Sequence, residues 1–272
     1  MKLILTHENA DFDAVASMLG ASKLYPDATP ILPNTSNRAV QEFLMLYKNA
    51  LPFIQHKDFQ LGRNKIEQVI LTDTQTYQSV KGIKQQTPTL IIDHHPLERE
   101  LEAHETWDGD EIGSASTLVI EQIQNQKIAI TSLEATLLAL GIYADTGMLS
   151  YSSTTSRDVS AVAWLLKQGA VLTTIRRFLT LPLTDNQQTL FDKLLKSATH
   201  RRIHGHSVTV ASTEADEYIE GISSVTQRLR DIWDSSAIFT LVAMPQKTQL
   251  VCRSRVDDID VSAVAELFGG GG

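Results

Sequence analysis

The chain is short of thiols, of surplus positive charge and of long apolar runs, and each shortage removes a class of function. One cysteine, Cys252, among 272 residues leaves no disulfide framework and no thiolate cage for a metal. Cys252 itself reads as a small buried residue of a late strand. Acidic residues outnumber Lys and Arg by 32 to 24, a formal net charge of −8. That balance argues against a surface that grips nucleic acid by counterion release. It leaves room for a short or single-stranded substrate held by a few arginines, and it suits a chain that gathers carboxylates around cations. No apolar stretch approaches the ~20 residues of a membrane span. Met1–Thr6 runs straight into His7 without a signal peptide. The expectation is a cytoplasmic protein with no membrane partner.

What is present is a soluble core. Hydrophobic residues make up 42% and charged residues 21% of the chain, and its length allows one large domain or two ordinary ones. The first two thirds alternate short apolar strands with amphipathic helices. Leu3–Thr6, Thr29–Leu32, Val69–Leu71 and Thr89–Ile92 read as strands, the last two too apolar for one-sided exposure. Asp13–Leu24, Ser114–Ile123, Ser132–Tyr143 and Ser156–Gln168 read as helices, and Asn34–Ser36 would cap another that carries Val40, Phe43, Leu44 and Tyr47. This alternation predicts an α/β fold, a mainly parallel sheet with helices on both faces.

The character changes near Pro182. Thr184–Ser197 reads as a polar connecting helix. Beyond it, Val208–Ala211, Ala237–Val242 and Gln249–Arg253 read as strands, and Ile222–Asp231 and Val261–Phe268 as helices. The expected organisation is a domain over 1–182, a helical linker over 183–200 and a smaller α+β domain over 201–272, with the active site in the cleft between the two domains.

Chemistry concentrates at the ends of the apolar segments. Asp93-His94-His95 directly follows Leu90-Ile91-Ile92, at the carboxyl end of a strand, where open α/β sheets bind ligands. Three further clusters occupy equivalent places: His7, Asp11 and Asp13 after Leu3-Ile4-Leu5, Asp73 after Val69-Ile70-Leu71, and Asp145 after an apolar stretch ending at Ala144. Asp11 alone reads best as a helix N-cap. That does not account for His7 or for aspartates at two further segment ends. Carboxylates and imidazoles gathered at one rim would raise one another's pKa values unless cations were present. Oxygen-rich sites with some imidazole and no sulfur suit manganese or magnesium. The donors outnumber the needs of one ion, and two ions ~3.5–4 Å apart sharing a carboxylate would use them all.

Taken together, His7, Asn9, Ala10, Asp11 and Asp13, then Thr72-Asp73-Thr74, then Asp93-His94-His95, then Tyr143-Ala144-Asp145-Thr146-Gly147 resemble the four motifs of the DHH phosphoesterase superfamily. That superfamily includes RecJ-type exonucleases, oligoribonucleases, cyclic-dinucleotide phosphodiesterases and manganese pyrophosphatases. The resemblance covers roughly Met1 to Pro182. It implies a two-metal site, most often manganese with magnesium as the alternative, in which His7, Asp11 and Asp73 hold one ion. Asp13, Asp73, His94 and Asp145 would hold the other, with Asp73 bridging and catalytic. Asp93 would orient an imidazole, and His95 would act on the substrate phosphate as a catalytic donor. Gly113–Thr117 reads mainly as a capped helix start, with a supporting role near the metals also open. His204-Gly205-His206 reads as a turn, and His56, His104 and His200 as surface residues.

The last part of the chain, from Arg202 on, resembles the DHH-associated substrate domain. That likeness implies that Arg253, Ser254 and Arg255, with Gly269, Gly270 and Gly271, bind the nucleotide end of a substrate. Arginine offers a fork for phosphate, and glycine amides make an anion-binding nest. The terminal Gly269–Gly272 reads as such a loop cut at its far side, or as a convenient break in a linker. Arg253-Ser254-Arg255 followed by Ile259–Ala265 is also similar to bacterial proteins in which this domain pair precedes a tRNA nucleotidyltransferase or poly(A) polymerase module. The expectation is a phosphoesterase acting on short RNA or DNA oligonucleotides or on nucleotides, with further C-terminal domains in the native protein and oligomeric state left open. The alternatives are a metal- and nucleotide-binding module with little turnover, and a manganese pyrophosphatase.

Overall fold

The computed structural model describes residues 1–76, 80–97, 99–256 and 258–270. The chain divides into two compact units, Met1–Leu181 and Pro182–Gly272. In the first unit the elements run β1 (Lys2–Leu5), α1 (Phe12–Leu24), β2 (Ala28–Leu32), α2 (Arg38–Tyr47), β3 (Ile54–Gln55), β4 (Gln68–Thr72), β5 (Thr89–Asp93) and β6 (Glu105–Gly109). Four helices follow: α3 (Ala115–Asn125), α4 (Ser132–Asp145), α5 (Ser156–Lys167) and α6 (Leu172–Leu179). The six strands form one parallel sheet in the order β3-β2-β1-β4-β5-β6. The direction of winding reverses between β1 and β4. A crevice therefore opens beyond the carboxyl ends of those two neighbours, the place where such sheets hold ligands.

Alternation along each strand divides its side chains between two cores. Ile4, Leu32, Ile70 and Ile92 face a core built by the helices, with Val15, Leu19, Phe43, Leu138 and Phe178. Leu3, Leu5, Ile31, Val69, Leu71 and Ile91 face the other way, against Phe59, Leu61, Ile66, Val80 and Ile83. Those covering residues lie outside any helix. Both faces are buried, as parallel strands require, one by helices and the other, among the described residues, by segments outside them. Two connections supply that second cover: Phe59, Leu61 and Ile66 come from the one between β3 and β4, and Val80 and Ile83 from the one between β4 and β5, which is interrupted by Gly82 and Pro88.

Strand β6 and helix α6 escape the sequence pattern. The first is a polar edge strand, and the second is a short helix that buries little beyond Ile175 and Phe178. Helix α2 is capped by Asn37, whose side chain accepts from the Val40 amide at 2.9 Å, instead of by the expected Asn34–Ser36. Helices α1, α3 and α4 meet at very short range. A Cβ placed on Gly141 of α4 would lie 2.3 Å from Ser116 Oγ and 2.7 Å from the Ala16 Cβ. Only glycine fits that crossing.

The second unit contains α7 (Asp185–Ser197), β7 (Thr199–Ile203), β8 (His206–Glu214), α8 (Ile222–Ile232), β9 (Ala237–Ala243), β10 (Thr248–Ser254) and α9 (Ser262–Glu266). Its sheet runs β10-β9-β8-β7. Strands β8 and β9 are parallel, so α8 serves as the crossover, while the outer pairs are antiparallel. Helix α7, read from sequence as a connector, sends Leu190 and Leu194 into this unit's core beside Val225, Leu229 and Ile238. Helix α9 stops at Glu266, short of the expected Phe268. Among the described residues no helix is long and apolar enough to cross a membrane.

Candidate metal centre

Each candidate donor leaves an element terminus that the core fixes. His7 lies two residues beyond β1, and Asp11 is the N-cap of α1, accepting from the Asp13 and Ala14 amides at 2.9 and 3.1 Å. The capping role expected for Asp11 is therefore real, and it coexists with a place in the cluster. Asp13 follows in the first turn of the same helix and is fully buried. Asp73, just past β4, has a φ of 57°, a left-handed conformation that Asp adopts more readily than most side chains. Its amide donates to the Ile92 carbonyl at 2.9 Å and so ties it to β5. Asp93 is the last residue of β5, with His94 and His95 next, and Asp145 is the last residue of α4.

These termini bring the donors together. Asp73 Oδ2 lies 3.5 Å from His7 Nε2, while Asp73 Oδ1 lies 3.5 Å from His94 Nε2. His94 Nε2 is also 3.1 Å from Asp145 Oδ2 and 4.0 Å from Asp13 Oδ2. Donor atoms of His7, Asp11 and Asp73 all lie within 4.8 Å of one another, as do those of Asp13, His94 and Asp145. A third such group joins Asp73, Asp93, His94 and His95.

Backbone groups aim the side chains. The Glu8 carbonyl is 2.7 Å from His7 Nδ1, and the Ile112 carbonyl is 2.9 Å from His94 Nδ1. A carbonyl can only accept, so in both rings Nδ1 donates and Nε2 faces the carboxylates. Asp13 accepts from the Ala115 and Ser116 amides at 2.7 and 2.9 Å, the first two residues of α3. The segment Gly113–Thr117 is thus a capped helix start, with Ser114 Oγ accepting from the Thr117 amide at 3.3 Å, and it also holds Asp13. Asp93 Oδ1 is 2.9 Å from His95 Nδ1, so the imidazole that it orients is His95. The Ile112 carbonyl and the two α3 amides were invisible in the sequence, because backbone groups leave no residue-type signature.

The electrostatics are those of a site built for positive charge. Burial, with Asp73 and Asp145 nearby, raises the Asp11 carboxyl to about 6 and pushes Asp13 well above the usual carboxylate range. The hydrogen bond to Asp73 lifts His7 to about 9. Burial opposes a proton on His94, yet the adjacent carboxylates of Asp145 and Asp73 carry it up to about 12. Asp73 is held low despite its burial, by the same two imidazoles. Asp73 Oδ1 and His94 Nε2 are buried with no hydrogen-bond partner. Orphaned donor atoms, crowded carboxylates and imidazoles, and no sulfur together fit a divalent cation.

The remaining candidates lie in the second unit. Arg253 is exposed near the end of β10. Ser254 Oγ donates to the Val256 carbonyl at 2.7 Å, and Arg255 reaches the Arg230 carbonyl at 2.6 Å and Asp234 at 3.5 Å. Gly269 takes a φ of 74°, and the Gly270 amide donates to the Ala265 carbonyl at 2.9 Å. Gly271 lies outside the described residues. His204 and Gly205 form the turn between β7 and β8. His200 Nδ1 meets Thr209 Oγ1 at 2.8 Å and its ring packs on Trp233, a structural role at the sheet edge.

Known proteins agree with this architecture. The chain is 36% identical over 278 residues to an A-adding tRNA nucleotidyltransferase of Geobacter sulfurreducens, a match that takes in 100% of the chain and 31% of that relative. It therefore spans about a third of the length of that protein. A probable manganese-dependent inorganic pyrophosphatase of Streptococcus suis is 28% identical over 176 residues, covering 62% of the chain and 56% of the relative. The structure of an exopolyphosphatase-related protein from Bacteroides fragilis superposes with a TM-score of 0.77 at 20% identity, over 100% of this chain and 84% of that one, and so shares the fold. Residues 2–142, the stretch that carries β1 to β6 and most of the donors, match the DHH family, N-terminal domain: the chain belongs to the DHH family.

Proposed function

We propose that this chain is a two-metal phosphoesterase that hydrolyses phosphodiester or phosphomonoester bonds of short oligonucleotides or nucleotides, with manganese as its cation. One observation carries the proposal. The two oxygens of Asp73 face different imidazoles, His7 and His94, each at 3.5 Å. A carboxylate so placed can be shared between two cations, one held with His7 and Asp11, the other with Asp13, His94 and Asp145. Bound there, the cations would supply a nucleophile at neutral pH and neutralise charge developing at phosphorus.

The chain's own groups do the rest. Asp73 holds the two positions in register. Asp93 fixes His95 through Nδ1, which leaves Nε2 to donate to a phosphoryl oxygen, and the His95 side chain is 56% exposed and so open to a substrate. The hydrogen bond to Asp93 raises the His95 pKa and favours the donating form. For the nucleotide end we assign Arg253, Ser254, Gly269, Gly270 and Gly271 of the second unit. Arg255 is the weaker candidate there, because its guanidinium is already engaged by Asp234 and the Arg230 carbonyl.

The chain's coverage of a third of the Geobacter nucleotidyltransferase supports a second reading. On that reading the chain is the front part of a longer RNA-processing protein, which it serves as a metal- and nucleotide-binding module. The likeness to the Streptococcus pyrophosphatase supports a third, hydrolysis of pyrophosphate itself. One experiment separates the three. A 5′-labelled RNA dinucleotide, 3′-phosphoadenosine 5′-phosphate and pyrophosphate are incubated with manganese and wild-type protein or Asp73→Ala. Mononucleotide or phosphate released from the nucleotides by wild type alone supports the phosphoesterase. Preference for pyrophosphate selects the third reading, and manganese binding without cleavage of any of the three selects the second.

A further inference from the structure

A second buried carboxylate lies behind the donor cluster. Asp158, in the first turn of α5, is 0% exposed. Among the described residues its donors are neutral: the Gly113 amide at 3.0 Å, Thr117 Oγ1 at 2.6 Å, and the Thr155 amide and hydroxyl, both at 2.7 Å. A buried carboxylate needs several such donors to be tolerated. The bond from the Thr155 amide belongs to the capping box of α5, and the one from its hydroxyl stays within the same turn. The other two do not serve α5 at all. They clamp the segment that leads into α3.

That segment is the one that aims half of the cluster. Its Ile112 carbonyl fixes His94 Nδ1, and its Ala115 and Ser116 amides fix Asp13. Between these sits Gly113, where an added Cβ would lie 2.7 Å from Asp158 Oδ2 and 2.6 Å from Thr146 Cγ2, the side chain next to Asp145. Asp158 thus grips residues 112–117 from one side, while Asp13 and His94 lean on them from the other. The supports of His7 and Asp11 run elsewhere, through the Glu8 carbonyl and the first amides of α1.

We infer that Asp158 is a positioning residue for the Asp13–His94–Asp145 cation position, acting through residues 112–117, and that it leaves the His7–Asp11–Asp73 position alone. The inference rests on the two-cation reading above. Manganese uptake by the whole chain, followed by the loss of the free-ion spin-resonance signal, tests it without any turnover. Wild type is expected to bind two equivalents. Asp158→Ala should weaken one of them by about 10–100-fold, the usual effect of removing a partner behind a ligand. The weakened equivalent should be the one lost in Asp13→Ala and kept in Asp11→Ala. Asp158→Asn should recover most of the loss, because its amide oxygen can still accept from Gly113 and Thr155 while the Thr117 hydroxyl accepts from its nitrogen. Should Asp158→Ala fail to fold, Thr117→Val cuts the same link with the α5 capping box intact, and should weaken the same equivalent. Wild-type affinity for both equivalents in a folded Asp158→Ala or Thr117→Val overturns the inference, as does equal weakening of both. A wild-type protein that takes up no manganese removes the two-cation reading and the inference with it.

Discussion

The two halves of the donor cluster are built in opposite ways. On one side, the His7 side chain is 34% exposed, and its ring is held by the carbonyl of the next residue. Asp11 is held by amides two and three residues on. On the other side, Asp13 is fully buried and the His94 side chain is 11% exposed. Their supports lie 18, 102 and 103 residues away along the chain. One half is a local motif, built from the loop after β1 and the first turn of α1. The other exists only when α1, α3 and β5 have already packed. In the first half His7 can adjust, because solvent and loop can give way, whereas Asp11 follows α1. The second inherits the rigidity of a close-packed interior.

Asp73 belongs to both halves, so removing it gives the largest effect. Asp73→Ala should abolish hydrolysis and uptake of both manganese equivalents while the circular dichroism spectrum stays native. Persistent activity in that variant would sink the shared-carboxylate assignment. His95→Gln leaves the assigned ligands of both positions in place, though His95 Nδ1 is 3.8 Å from Asp73 Oδ1 and its ring lies against His94. It should lower kcat by about 10²–10³-fold, the usual loss for one donor to developing charge, with manganese stoichiometry unaltered. A changed stoichiometry would make His95 a ligand instead.

Two stability measurements probe the halves separately. Gly141→Ala crowds Asp13, Ala16 and Ser116 in the buried half, and should cost about 1–3 kcal/mol in denaturant unfolding. Glu8→Ala removes the acceptor of the Thr35 hydroxyl, at 2.6 Å, beside the exposed half, and should cost only about 0.5–1.5 kcal/mol. Equal costs would erase the contrast between rigid and adjustable sides.

A further effect concerns pH. With cations chelated, His7 holds its proton up to about pH 9 and His94 up to about pH 12, whereas unfolded histidines release theirs near 6.5. The folded chain then binds more protons than the unfolded one, and stability falls as pH rises. The contribution of these histidines is whole below pH 6.5, and the part due to His7 is gone above about 9. Asp11, raised to about 6 from 3.8, adds a loss of the same sign at lower pH. The Tm of chelated protein should therefore decline between pH 6.5 and 9, and added manganese should flatten the slope. A Tm that rises across this window would contradict the charge pattern of the cluster.

How much of this the sequence discloses follows the same divide. Apolar runs ending in His or Asp mark β1, β4 and β5 and the donors just beyond them, because strand burial and ligand chemistry both write themselves in residue type. The helix starts at Asp11 and Ser114 are equally legible as caps. The Ile112 carbonyl and the Ala115 and Ser116 amides are not, since any residue could supply them. Asp158 escapes for a different reason: it sits in an ordinary capping box, and nothing local marks the two bonds it accepts from Gly113 and Thr117. The cover of the second sheet face is harder to read, because Phe59, Leu61, Ile66, Val80 and Ile83 are scattered over two connections interrupted by Gly62, Gly82 and Pro88.

Helix α1 carries donors of both halves on its first turn, and every residue from Phe12 to Ala21 is buried. A helix with no open side has nowhere to relax. A change of volume at Val15 or Leu19 must therefore move Asp11 and Asp13 or be compensated by neighbours on α3 and α4. In such a protein the history of the core and the history of the site cannot be separate: substitutions far from any donor will persist only in matched sets, and the site's chemistry will have acted as a filter on the interior as a whole.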